Sequence, residues 1–246
     1  MKTDFFAIYD AIGSCVTSSE PLTGTFFGER WAMAEAAGRL GIAMATPGDS
    51  IDPLFPAGLC GHTLSDAAKA VSSWNLTEAS LALAAANCFC NFYEHAQSLG
   101  ALMDPGQHYT HGMDFRGKKV AMIGHLHGTE EMRRDADNIY IIEREPKTGD
   151  YPDAACDYIL PQCDIVIITG SSIINKTLPH LLELCENALT VLTGPSVPLC
   201  PALLDLGIDR IAGLCLTDRP GITAHVKSGA PGSPYGYGRG FLLTKE

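Results

Sequence analysis

From Gly117 onward the chain alternates short apolar, β-branched runs with helical stretches, and this alternation restricts the fold more than any other feature. GKKVAMIGHLHG opens the series with a strand and a glycine-ended turn. DNIYIIEREP (137–146), CDIVIITGSS (163–172), NALTVLTGPS (187–196) and DRIAGLCLTD (209–218) follow as four further strands. Such runs lack polar alternation, so both faces must be covered, as in a parallel sheet flanked by helices. LPHLLELCEN (178–187) and CPALLDLG (200–207) are the clearest intervening helical stretches. The Gly/Pro-rich tail, SGAPGSPYGYGRGFLL, is expected to be irregular until its last few residues. The fold class expected here is α/β, a Rossmann-like three-layer α/β/α arrangement on a mostly parallel sheet.

The first third reads differently. Asp4 to Ile12 predicts a short amphipathic helix, and GTFFGERWAMAE (24–35) with AAGRLGIAMAT (36–46) predicts two strands around a Gly-containing turn. After the loop from Pro47 to Gly61, HTLSDAAKAVSSW predicts a helix capped by Thr63 or Ser65. TEASLALAAANCFCNFYEHA (77–96) is apolar nearly all round, which predicts a helix buried against the strands. An interface role for that helix, hence a homo-oligomer, stays open. The expected division is a small α+β domain at 1–104, a linker at 105–116 holding Pro105, Gly106 and Gly112, and the α/β domain at 117–246.

Charge and cysteine content narrow the partners. The 246 residues carry 28 acidic against 17 basic side chains, a formal net charge of −11. A surface that acidic repels phosphate backbones and anionic lipid, so a small molecule is expected as ligand rather than nucleic acid or membrane. Met1 to Ile12 has no basic start before an apolar run, and Leu81 to Phe89 is far shorter than the roughly 20 residues of a membrane span, which predicts a cytoplasmic protein. Nine cysteines in such a chain argue against a disulfide framework. Cys88 and Cys90 look paired, but positions i and i+2 of a helix point about 200° apart and cannot chelate one ion together.

Ligands of doubly wound sheets bind beyond the carboxyl ends of the strands, where the strand order reverses. The first such loop is Gly124-His125-Leu126-His127-Gly128. Its glycines permit a tight turn, and either His125 or His127 is a candidate general acid/base. Glu143 follows Gly124 by nineteen residues, where an acid can hold a pair of ribose hydroxyls, although the glycine pattern is not an intact G-x-G-x-x-G. Thr169, Gly170, Ser171 and Asn175 cluster after the third strand, with N-capping of the next helix as the alternative role. Thr193-Gly194-Pro195-Ser196 has the same character. His108, His111, His125 and His127 resemble a metal set, but the strand between the pairs spans about 20 Å, which keeps the pairs apart.

With these residues laid out, the chain resembles a family of prokaryotic heavy-metal chelation proteins over nearly its full length. FFGERWAMAE, GIAMAT, LAAANC, VAMIGH, DIVIITGSSIINKTL and LTGPSVPL carry the likeness, and TGSSIINKT is the most specific piece. The resemblance implies an N-terminal domain like that of enolase, a Rossmann-like second domain, and a site in the cleft between them. It implies condensation, hydrolysis or binding of a pterin-, flavin- or siderophore-like molecule, with a link to heavy-metal handling. Carried over by position, it nominates Thr169, Gly170, Ser171, Asn175, Thr177, Gly124 and the Thr193-Gly194-Pro195 turn, and adds Glu29, Arg30 and Asn87 from the first domain. The working set is therefore His125, Glu29 and Asn87 as catalytic candidates. Gly124, His127, Glu143, Thr169, Gly170, Ser171, Asn175, Thr193, Gly194 and Arg30 are the binding candidates. Two alternatives stand beside it: a nucleotide-cofactor enzyme using adenosyl-methionine or a dinucleotide, and a non-catalytic carrier of a heavy-metal ion. Which metal, if any, is not legible from these residues.

Overall fold

The protein is described from a computed structural model covering residues 4–104, 108–127 and 129–245. Pro105 and Gly106 of the expected linker, and Gly128 of the first strand-end loop, lie outside the described residues.

Helix α1 (Ala7–Cys15) precedes an antiparallel meander of β1 (Leu22–Phe27), β2 (Trp31–Ala36) and β3 (Arg39–Met44). The expected two strands are thus three. The missed turn is Gly28-Glu29-Arg30, inside the segment expected as one strand (24–35), while the expected Gly-containing turn falls at Ala37-Gly38, with φ of 49° and 73°. Two positive φ values at Ala37-Gly38 make the turn that matches strand twist in a two-residue hairpin. The β1–β2 turn is closed by the Gly28 N–H donating to Trp31 O at 3.1 Å, and one glycine among Phe, Glu, Arg and Trp gives little turn signal. α2 (Leu64–Lys69) is capped by Thr63, whose Oγ1 accepts the Asp66 N–H at 3.1 Å. α3 (Leu76–Cys90) starts on Asn75, whose Oδ1 accepts the Glu78 N–H at 2.9 Å, and α4 (Tyr93–Ser98) follows. The alanines of α3 serve close approach: Ala79, Ala82, Ala84, Ala85 and Ala86 have no exposed surface. The contact with β3 is closest at Gly41, where a Cβ would lie 2.1 Å from Ala84 O and 2.3 Å from Cys88 N. Only glycine lets the helix backbone seat directly on that strand.

The second sheet has eight strands. They are β4 (Leu102–Met103), β5 (Lys119–Ile123), β6 (Asn138–Glu143), β7 (Tyr151–Pro152), β8 (Ile165–Thr169), β9 (Leu189–Thr193), β10 (Arg210–Leu216) and β11 (Gly238–Thr244). Their order is β4-β11-β10-β9-β8-β5-β6-β7, parallel from β10 to β7 and antiparallel where β11 meets β10 and β4. Counted along the chain from β5, the parallel part reads 3-2-1-4-5-6, the doubly wound order, and it reverses between β5 and β8. The connecting helices are α5 (Glu130–Asp135), α6 (Cys156–Ile159), α7 (Ser171–Ile174), α8 (Leu178–Leu184) and α9 (Arg219–Ser228). The tail becomes regular earlier than expected. β11 already begins at Gly238, because the full-length antiparallel ladder to β10 supplies partners that the tail's own composition does not suggest. Among the described residues, no helix is long and apolar enough to cross a membrane.

One apolar cluster joins both sheets, packing Ile8, Tyr9 and Ile12 of α1 with Ile173, Ile174 and Leu178. Polar struts cross the same seam. Asn87 Nδ2 donates to Ile42 O (2.8 Å) and Ser196 O (3.1 Å), and Asn91 Nδ2 donates to Val197 O (2.8 Å). Asn91 Oδ1 accepts from Leu199 N–H, and Ser196 Oγ accepts from Met44 N–H, each at 2.8 Å. Lys176 Nζ donates to Val71 O and sits 4.6 Å from the Tyr9 ring centroid.

Candidate functional site

A pocket of about 360 Å³ opens where the strand order reverses, beyond the carboxyl ends of β5, β6 and β8. Its floor holds Ile123, Gly124, Thr169 and Ser171, and its walls hold Glu143, Asp157, Asn175 and His180. Gly124 has φ 98°, and a Cβ there would stand 3.2 Å from Thr169 Cβ. The chain therefore turns away from β5 in a conformation that favours glycine, pressed against the side chain that ends β8. Two strand ends and the acid of a third converge on one volume.

Local hydrogen bonds hold the floor. Thr169 Oγ1 lies 3.2 Å from Ser171 Oγ, and Ser172 Oγ donates to Thr169 O at 2.7 Å. Asn175 Oδ1 accepts from Thr177 N–H at 3.1 Å and from Thr177 Oγ1 at 2.7 Å. Thr177, at the start of α8, makes no side-chain cap bond, whereas Thr169 Oγ1 accepts the Ser171 N–H that opens α7 at 3.5 Å.

The acids define the electrostatics. Glu143 Oε1 accepts the His125 N–H at 2.8 Å, fastening the first loop to the end of β6. His125 Nε2 pairs with Asp150 Oδ2 at 2.8 Å, and Asp150 also accepts the Lys147 N–H at 2.7 Å. The Lys147 amide, then His125, hold the Asp150 carboxyl below the usual carboxylate range. At the pocket wall, His180 Nε2 lies 2.9 Å from Asp157 Oδ1, and its Nδ1 lies 3.7 Å from Glu183 Oε2. A carboxylate-oriented imidazole of this kind can accept or return a proton. Cys156 also lines the pocket, but burial first, with Asp153 and Asp157 behind it, pushes its thiol up to about 11. It stays protonated near neutral pH and makes a poor nucleophile there.

The expected residues divide. Gly124, Glu143, Thr169, Ser171, Asn175 and Thr177 line the pocket, and Gly170 sits between them with its N–H donated to Thr193 O at 2.8 Å. His125 adjoins the pocket through Glu143. His127 is exposed, and its carbonyl accepts from the Tyr109 hydroxyl. Thr193 and Gly194 lie at the end of the next strand: Thr193 is buried and bonds to Tyr235, and Gly194 N–H donates to Ala212 O at 3.1 Å. Glu29 and Arg30 are exposed on the β1–β2 turn, Asn87 is a buried strut with an unpaired Oδ1, and none of the three lines this pocket. His180, Asp157, Asp153 and Arg144 line the pocket beside the expected residues. The acids at 150, 153 and 157 were a usable hint, whereas His180 sits inside an amphipathic helix and looks like surface.

The histidine set does not assemble: His108 bonds Gly213 O through Nε2, while His125 bonds Asp150. Among the described residues, no group of three or more His, Cys, Asp or Glu side chains is arranged to hold a metal ion. These residues do not fit a resident metal.

The profile of the family DUF364, described as Putative heavy-metal chelation, matches residues 111–240, more than half of the chain. The chain belongs to DUF364. A second profile, DUF4213, with the same description, matches residues 9–89. A DUF364 protein of unknown function from Desulfitobacterium hafniense is 31% identical, with a TM-score of 0.86 over 98% of both chains. Its counterpart from Pyrococcus horikoshii is 21% identical, with a TM-score of 0.79 over 98% of this chain and 99% of that one, a likeness of fold. An uncharacterized protein of Methanocaldococcus jannaschii is 30% identical over 153 residues, 59% of this chain and 58% of that protein. The chain thus spans under two thirds of the length of that curated relative. For DUF364, the α/β architecture on a mostly parallel sheet is the shared property.

Proposed function

We propose that the switch-point pocket binds a neutral or cationic heterocyclic molecule carrying vicinal hydroxyls, of the adenosyl or hydroxylated-pterin type, with Glu143 accepting from the hydroxyl pair. The single observation behind this reading is the coincidence of the pocket with the reversal between β5 and β8, with Glu143 at the end of the neighbouring strand. The volume lies within the range of roughly 300–1,000 Å³ usual for small-molecule sites.

Charge selects among ligands. Glu143, Asp153 and Asp157 outnumber Arg144 and His180 in the lining. Glu130 and Glu131 occupy the first turn of α5, where a dinucleotide would place its pyrophosphate. Phosphate-rich ligands are therefore disfavoured, and a dinucleotide enzyme is the weaker reading. His180, oriented by Asp157, is the group placed to move a proton if the bound molecule reacts.

Mass spectrometry of whatever the freshly purified protein releases on denaturation tests this reading, together with its absorbance spectrum and metal content. A released nucleoside- or pterin-type heterocycle supports it. A released dinucleotide, or stoichiometric metal without an organic molecule, overturns it.

A further inference from the structure

Three thiols that do not line the pocket meet. Cys15 ends α1, Cys90 ends α3, and Cys200 opens the turn Pro201–Leu206 that packs against α1. Cys90 Sγ donates to Cys15 Sγ at 3.8 Å, and Cys200, whose Sγ donates to Ala11 O at 3.6 Å, is also a side-chain neighbour of Cys15. Cys15 is thus the shared neighbour of the other two sulfurs. Cys15 is half-buried, whereas Cys90 and Cys200 have no exposed surface, so a reagent from solvent meets the Cys15 sulfur first. The Cys200 thiol, then the Cys90 S–H, with His95 nearby, favour the thiolate at Cys15 and hold its thiol well below the ordinary range. The cluster also sits on the seam, because Asn91, next to Cys90, pins the Val197 and Leu199 backbone just ahead of Cys200.

We infer that Cys15 is a redox-active site that reacts with hydroperoxides and closes a reversible disulfide with one of the two thiols flanking it. The Cys15 thiolate attacks the distal oxygen of the hydroperoxide: an S–O bond forms, the O–O bond breaks, and the alkoxide leaves as an alcohol after taking a proton. The flanking thiol then attacks the Cys15 sulfenic sulfur, forming the S–S bond while the S–O bond breaks and water leaves. Two thiols and one hydroperoxide become one disulfide, one alcohol and one water, with two electrons passing from sulfur to oxygen. A dithiol reductant reverses the disulfide. Oxidation to Cys90 ties α1 to α3, and oxidation to Cys200 ties α1 across the seam to the β9–β10 connection.

The test uses full-length reduced protein carrying Cys60→Ser, since Cys60 is the exposed thiol that competes for oxidant. One equivalent of cumene hydroperoxide is added, and free thiols are counted after denaturation. Two of the eight thiols left from nine are expected to disappear and to return with dithiothreitol. Non-reducing peptide mapping should join Cys15 to Cys90 or Cys200. In the unsubstituted protein, Cys15 should be consumed about tenfold faster than Cys60, as expected for a stabilised thiolate. Retention of all eight thiols, cross-links that omit Cys15, or irreversible oxidation of Cys15 without a cross-link would each overturn the inference.

Discussion

His125 Nε2 and Asp150 Oδ2 lie 2.8 Å apart and join the loop after β5 to the loop after β6. The Asp150 side chain is only 5% exposed, and it also holds the Lys147 amide. Its carboxyl titrates below its unfolded value, so the stabilisation it contributes is present above the ordinary carboxylate range of about 4 and fades as pH falls through the lower folded value. Hydrogen exchange at the Lys147 amide, corrected for intrinsic rate, should show constant protection from neutral pH down to about 5 and a loss below about 4. Protection that is already absent at neutral pH would contradict the clasp.

Lys176 carries a buried ammonium whose one hydrogen-bond acceptor among the described residues is a carbonyl, that of Val71. Burial lowers its pKa to about 8 from 10.5. Between those values the unfolded chain binds a proton that the folded chain does not, so stability rises with pH there. Denaturant unfolding should show the protein gaining about 2 kcal/mol from pH 8 to 10 relative to Lys176→Met, the order expected for two pKa units. Parallel pH profiles for the two proteins would contradict the assignment.

Gly41 tests the seat of α3 on β3. Gly41→Ala sets a Cβ 2.1 Å from Ala84 O and should cost more than about 4 kcal/mol or prevent folding. Gly58→Ala has positive φ but open space around its Cβ, and should cost only about 1 kcal/mol. Thermal denaturation of both proteins separates close approach from backbone strain.

Asn87 acts as a strut in this structure, with Nδ2 shared between Ile42 O and Ser196 O. Asn87→Ala should lower stability by about 2–3 kcal/mol, because two buried carbonyls lose their donor. Its affinity for neopterin and S-adenosylhomocysteine should stay within a factor of about two, since Asn87 does not line the pocket. Calorimetric titration of the variant checks this, and a tenfold loss of affinity would restore Asn87 to the site.

Much of the second sheet is legible in the sequence because strands buried on both faces must be apolar throughout, as IVIIT at Ile165–Thr169 shows. The spacing from Gly124 to Glu143 is legible because a loop, one helix and one strand fill it and return the chain to the same sheet edge. The rest depends on contacts between distant residues. Lys176 meets Val71 across 105 positions, and Asn87 meets Ser196 across 109. Cys15 meets Cys90 across 75, while the visible Cys88-x-Cys90 pair is split, with Cys88 Sγ directed to Ala36 O instead. His180 and Asp157 meet only because α6 and α8 pack together. No local pattern announces such pairs. The meander has three strands rather than two for another reason, since the turn at Gly28-Glu29-Arg30 lies between Phe27 and Trp31 and a single glycine there does little to break a strand pattern.

The most direct test of the pocket is a calorimetric titration of the wild-type protein and of Glu143→Gln with S-adenosylhomocysteine, neopterin and NAD+. Glutamine keeps an oxygen for the His125 amide but loses the charge, so the fold should survive while hydroxyl recognition weakens. The account predicts saturable one-to-one binding of S-adenosylhomocysteine or neopterin to the wild type, a loss of about tenfold or more in Glu143→Gln, and weaker binding of NAD+. Binding of neither hydroxylated heterocycle, equal binding in Glu143→Gln, or preferential binding of NAD+ would contradict it.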